Sequence, residues 1–228
     1  SGISLDGDNT DWGNNSFYDE ESDILLHFEN DSEFLYLGFA TDDIVKQQQI
    51  LSMGFIVWFD KNGGTEKKIG IKFPLGMAGN FGFIKNQKEE APKDNRGFNE
   101  EMNLVDSLTR IEIVENENTK GKIRSLAEIK GIWLNAKKYR GIYVYELKIA
   151  MYSKGNDISI GLKTGKTKQT IGIGFETVEL DMDKMKEKMP DKRKDMPPPD
   201  MPEGRNKKPG MMPNMNSMKY WVSLNLGN

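Results

Sequence analysis

The chain has 228 residues, with 32 Lys or Arg against 35 Asp or Glu, a net charge of -3 and no cysteine. Such a length can bury a substantial core without covalent staples. The absence of cysteine removes disulfides, thiolate metal sites and cysteine nucleophiles, the mixed charge leaves no basic stripe for a nucleic-acid backbone, and no apolar run is long enough to span a membrane.

The opening "SGISLDGDN" carries no initiator methionine and no leader-like segment, so the expectation is of a mature or trimmed chain. "DILLHFEN" (23–30) and "EFLYLGFAT" (33–41) read as two strands joined at Asp31-Ser32. In the second, Leu35, Leu37 and Phe39 fall on one face at a period of two. "DDIVKQQQILS" reads as a short helix or lid with Asp42 or Asp43 as its N-cap. "MGFIVWFDKNGGTEKKIGIK" (53–72) then reads as a strand, a tight turn and a second strand.

Residues 75–106 form a long polar connection with a helical turn expected near 99–105. Strand signals resume at "SLTRIEIVE" and "IRSLAEIKGIWLNAKK". In "GIYVYELKIAM", Tyr143, Tyr145, Leu147, Ile149 and Met151 line one face. "ISIGLKT", "TIGIGFETVEL" and "KYWVSLNLG" bring the expected total to about ten strands, the pattern of an all-β, two-sheet antiparallel β-sandwich.

One segment breaks this pattern. Residues 181–218 hold nine of the thirteen methionines and seven of the nine prolines. Proline fixes φ and removes ladder donors, so this reads as an extended insertion before the last strand of a single domain. The thioethers suit copper(I) in principle. Their irregular spacing without His or Cys instead matches flexible side chains sealing a loop.

Few residues offer chemistry. The single histidine, His27, lies opposite Ile24, Leu26 and Phe28 on its strand and has no triad signature around it. With Met53 or Met77 it could in principle serve as an axial haem ligand, but one histidine without a supporting signature makes an electron-transfer domain the least favoured reading. Asp6, Asp8 and Asp11 in "LDGDNTDW", with Asp60 and Asn62 in "WFDKNGG", could hold a structural calcium. They lack the EF-hand pattern, and such residues are ordinary in turns. The metal candidates are thus Asp6, Asp8 and Asp60, and no other cofactor is expected. The pairs Glu20-Glu21 and Glu89-Glu90 sit in polar connections, as solvated charge runs do, and no catalytic constellation is visible. Trp12, Trp58, Trp133 and Trp221 suit either core packing or stacking on a sugar ring.

"ISLDGDNTDW", "EFLYLGFATDD", "GFIVWFDKNG", "YVYELKIAM", "IGIGFETVE" and the closing "WVSLNL" together resemble family 9 carbohydrate-binding modules and related DOMON-like domains. The resemblance implies a jelly-roll or immunoglobulin-like sandwich and a secreted, periplasmic or cell-surface location. It also implies sugar binding between two tryptophans beside the 53–73 hairpin. Residue by residue, the family's first tryptophan falls at Ile50 and its second near Met215. Its acidic residue on the first hairpin strand falls at Ile56, and its basic and amide residues on the second fall at Gly70 and Lys72. The sugar sandwich of the family is therefore absent, or rebuilt from other residues.

The facing of Trp58 depends on the turn. A two-residue Asn62-Gly63 turn sets Trp58 opposite Lys67, with Ile69, Ile71 and Phe73 on its face. A loop including Gly64 sets it opposite Lys68, with Gly70 and Lys72 on its face. The second alignment is favoured, because it joins Phe55, Val57 and Phe59 with Ile69, Ile71 and Phe73 and lets the indole cover Gly70. The candidate ligand residues are Trp58, Ile56, Gly70 and Lys72, with the Met-Pro insertion expected to cover Trp58 in part. The leading expectation is a non-catalytic, exported carbohydrate-binding-like module with a lost or altered sugar site. The alternative is an adhesion or scaffold domain that binds protein.

Overall fold

The computed structural model describes residues 4–76, 109–152, 160–162, 169–178 and 217–227. The expected helical turn near 99–105, Met77 and nearly all of the 181–218 insertion lie outside the described residues, and so does the expected cover over Trp58.

The described chain forms eleven strands and one α-helix. The strands are β1 (Ser16–Asp19), β2 (Ile24–Asn30), β3 (Phe34–Thr41), β4 (Phe55–Asp60), β5 (Ile69–Lys72), β6 (Arg110–Val114), β7 (Lys122–Ser125), β8 (Ile132–Tyr139), β9 (Ile142–Ala150), β10 (Gln169–Thr177) and β11 (Lys219–Leu226). They make a five-stranded sheet in the order β1-β2-β3-β9-β8 and a six-stranded sheet in the order β11-β10-β4-β5-β6-β7. Every pairing is antiparallel. This is the two-sheet antiparallel sandwich that the strand pattern implies. Three elements depart from that pattern: β1 is not among the expected strands, "IRSLAEIKGIWLNAKK" is divided into β7 and β8 by a 3-10 turn at Leu126–Glu128, and residues 160–162, the described part of "ISIGLKT", are not in a strand.

Alternation explains the core. From the first sheet, Leu26, Leu37, Phe39, Tyr145, Leu147 and Ile149 point inward and are buried. From the second, Phe55, Val57, Phe59, Ile71, Ile173 and Phe175 meet them. Phe55 sits at the centre, 4.9 Å from Phe39, 5.1 Å from Tyr145 and 6.1 Å from Phe175 between ring centroids. These separations lie in the range in which tilted, edge-on and offset-stacked rings pack favourably.

The helix α1 (Ile44–Met53) starts where Asp43 accepts hydrogen bonds from the Val45 and Lys46 backbone N–H groups, satisfying donors that a helix N-terminus leaves open. It ends at Gly54, whose φ of 91° places it in the region glycine tolerates best. Gln47 ties the helix to the sandwich by donating to the Thr41 and Gly141 carbonyls at 3.0 and 2.8 Å. The helix therefore delivers the chain into β4 in a fixed register, which sets the faces of Ile56 and Trp58.

Candidate functional site

The odd residues of β4 face the core, so Ile56, Trp58 and Asp60 share the outer face of the second sheet. On β5, Gly70 lies opposite Trp58 and Lys72 opposite Ile56. Both alignments expected from the sequence are corrected here: the pairing runs two residues beyond the favoured one. A shift of two keeps each side chain on its face, so Trp58, Gly70 and Lys72 do share a surface, as the favoured reading held. The longer loop has a physical cause. Asp60 accepts hydrogen bonds from the Asn62 and Glu66 N–H groups at 3.0 Å each, which organises the loop around one carboxylate. Burial would raise the Asp60 pKa, but these bonds, one from Gly64 and the charge of Lys68 together hold it below its ordinary value.

Gly70 is needed where it stands. A Cβ there would lie 2.8 Å from both Trp58 Cε3 and Ile56 Cδ1. The indole lies across that bare backbone and is only 4 % exposed. Its Nε1 donates to Glu176 Oε2 at 3.0 Å. Glu176 reaches the site because β10 pairs with the other side of β4, setting Glu176 opposite Ile56 and Gly174 opposite Trp58. Lys67 bridges from the loop. Its Nζ is 2.7 Å from Glu176 Oε2, 3.6 Å from Glu117 and 5.9 Å from the Trp58 ring centroid. On the other flank, Lys72 Nζ lies 3.8 Å from Glu112 on β6, both side chains being 15 % exposed. Burial pushes the Lys72 ammonium below its ordinary pKa, and Glu112 pulls it part of the way back.

These side chains frame a groove of about 420 Å³ on the outer face of the second sheet. Its floor is Ile56, Trp58, Val114 and Val178, and its rim carries Lys67, Lys72, Glu112 and Glu176. The structure thus gathers the four residues singled out from the sequence, Trp58, Ile56, Gly70 and Lys72. It adds three that sequence reasoning missed. Glu176 had a signal: Gly172, Gly174 and Glu176 alternate with the core residues Ile171, Ile173 and Phe175. Glu112 carried the same alternation, between Ile111 and Ile113, but its arrival beside Lys72 depends on strand order; Lys67 had no signal, since its position depends on the path of the loop.

The proposed metal ligands are placed apart. Asp60 is on the outer face of the second sheet, while the segment holding Asp6 and Asp8 packs over the first. There the Gly7 N–H donates to Glu146, and Asn135 donates to the Leu5 carbonyl. Asp6 accepts from the Asp8 N–H and Asp8 from the Thr10 N–H. Among the described residues no group of three His, Asp or Glu side chains is arranged to hold a metal ion. His27 is buried under Trp12, with ring centroids 5.6 Å apart, and burial lowers its pKa against the opposing pull of Glu29 and Asp11. No described helix is long and apolar enough to cross a membrane.

No family model matches the chain, and no curated protein matches it. Among solved structures it is similar to a family 9 carbohydrate-binding module from Caldicellulosiruptor kristjanssonii, solved in complex with glucose. The similarity has a TM-score of 0.37 and 12 % sequence identity, and covers 80 % of this chain and 77 % of that one.

Proposed function

We propose that this chain is a non-catalytic, exported module that binds a neutral glycan in the groove above Trp58. The observation that carries this reading is the pairing of an apolar floor with alternating carboxylates and ammonium groups inside one concavity. A carbohydrate offers apolar C–H faces and a ring of hydroxyls that both donate and accept. Glu112 and Glu176 are acceptors, Lys67 and Lys72 are donors, and the half-enclosed surroundings strengthen such bonds relative to open water. The sequence resemblance to carbohydrate-binding modules supports the same class of ligand. The mode is altered from the family's, because Trp58 is a floor and not an exposed stacking plate. Recognition rests on the charged rim, with Trp58, Ile56 and Val114 as the apolar base.

Calorimetric titration against a panel of neutral oligosaccharides tests this. Saturable binding is expected, with Lys72→Ala and Glu112→Gln each weakening it by about tenfold or more, the loss that follows removal of a charged hydrogen-bonding partner. Absence of binding across the panel, or unchanged affinity in both variants, would overturn the proposal.

A further inference from the structure

One tryptophan is both exposed and outside the groove. Trp133 is on β8, on the outer face of the first sheet, and is 45 % exposed. Strand pairing sets it in a row across three strands: Trp133 on β8 is opposite Lys148 on β9, which is opposite Tyr36 on β3. Phe34 flanks the row and meets Trp133 edge-on, at 5.4 Å between centroids and 79° between planes. The Trp133 ring is therefore held against a neighbouring ring although much of it faces solvent.

Lys148 lies in the middle of these rings. Its Nζ is 4.2 Å from the Phe34 centroid, 5.1 Å from Trp133 and 5.2 Å from Tyr36. Aromatic faces attract a cation through their quadrupole but carry no net charge. No ion pair joins Lys148 to a carboxylate among the described residues. Asp31, which accepts from the Tyr36 hydroxyl at 3.0 Å, is held by the Glu33 and Phe34 N–H groups at 2.8 Å each. Among the described residues an exposed indole thus adjoins an ammonium group with no carboxylate in ion-pair contact.

We infer that Trp133, Phe34 and Lys148 form a second ligand site, specific for a uronate-bearing glycan. The apolar face of the sugar ring covers Trp133, and its carboxylate takes the free donors of Lys148. The row is three strands wide, roughly 10 Å at the usual strand spacing, which is the size of one sugar ring with its substituents. A carboxylate attached directly to a pyranose ring places charge and apolar face at the separation this row presents. The site is on the opposite sheet from the groove and does not depend on it.

Isothermal titration with trigalacturonate, with mannuronate and guluronate trimers and with a glucuronate-bearing trisaccharide tests the assignment, using the matching neutral galactose trimer as control. At least one uronate is expected to bind saturably, and the neutral trimer not to bind at Trp133. Trp133→Ala and Lys148→Met should each weaken uronate binding about tenfold or more, as loss of a charge-assisted contact does, while Lys72→Ala in the groove leaves it unchanged. Lys148→Met keeps the stem packed on the rings, so a loss there reports charge and not folding. No binding of any uronate, binding insensitive to both substitutions, or preference for an acidic peptide over all the uronates would each overturn the inference.

Discussion

The two outer faces of the sandwich solve one packing problem in the same way and then diverge. On the first sheet Trp12 lies across Gly38, where a Cβ would come within 2.5 Å of its Cζ2 atom. On the second, Trp58 lies across Gly70. Each indole is buried, and each Nε1 donates to a glutamate of a neighbouring strand: Trp12 to Glu146 at 3.1 Å and Trp58 to Glu176 at 3.0 Å. The difference lies in what answers the carboxylate. Glu176 has Lys67 beside it at 2.7 Å. Among the described residues Glu146 has only the Gly7 and Trp12 N–H groups, and burial raises its pKa from 4.5 to about 7 against their pull, with Asp6 and Asp11 adding repulsion. A carboxylate left without a cation favours its neutral form, and the face over it is closed by the N-terminal segment. A carboxylate given a lysine keeps a polar rim, and the face beside it forms a groove among the described residues. The same Trp-Gly-Glu arrangement is thus covered in one place and floors a groove in the other, according to the placement of one cation.

That contrast can be broken at several points. The largest effect is expected from truncating the indoles. Trp58→Ala and Trp12→Ala should each cost about 3–5 kcal/mol in denaturant unfolding, the usual range for emptying a buried aromatic position. Equal tolerance of both by the protein would mean that neither indole is packed as described.

Next comes the cation. Lys67→Met should destabilise by about 1–3 kcal/mol, because it strands Glu176 partly buried while keeping the side-chain stem. The double variant Lys67→Met, Glu176→Gln should recover most of that loss. A double variant no better than the single one would show that the pair is not what holds this face.

The glycines should give a comparable or smaller change. Gly70→Ala and Gly38→Ala each push a methyl into an indole, and overpacking of this kind costs about 1–3 kcal/mol. Neither φ falls in the left-handed region, so the cost would come from contact alone. Crystal structures of the variants should show each indole displaced from its strand.

The pH dependence sharpens the comparison most finely. The folded Glu146 pKa lies above its unfolded value, so its contribution to stability is fully present below about 4.5 and is lost as pH rises through about 7. Between those limits stability should fall by an amount on the order of 3 kcal/mol at most, following the shift of the carboxyl. Glu146→Gln should flatten that slope in urea melts at a series of pH values. A slope that persists in the variant would assign the effect to another group.

Much of this architecture is legible in the chain. The period-two runs in "GIYVYELKIAM" and "EFLYLGFAT" mark inward faces that the structure buries, and the same parity places Trp58 with Gly70 and Lys72. Parity survives a two-residue error in the loop, which is why the face was readable although the register was not. The register depends on Asp60 gathering backbone N–H groups, an arrangement that "DKNGG" does not announce over a tighter turn. Glu112 and Glu176 belong to strands that are sequence-distant from β4 and β5, so their convergence follows from sheet order. The row of Trp133, Lys148 and Tyr36 is hidden for the same reason, since three strands contribute one residue each.

If the groove over the second sheet is the neutral-glycan site and the patch of the first sheet under Trp12 is sealed, the indole N–H resonances of the two tryptophans will respond differently to ligand. A nitrogen-proton correlation spectrum should be recorded while titrating with the best neutral oligosaccharide of the calorimetric panel. The Trp58 signal is expected to shift saturably and the Trp12 signal to stay in place. A shift of Trp12 without Trp58, or no movement of Trp58 at saturation, would contradict the account.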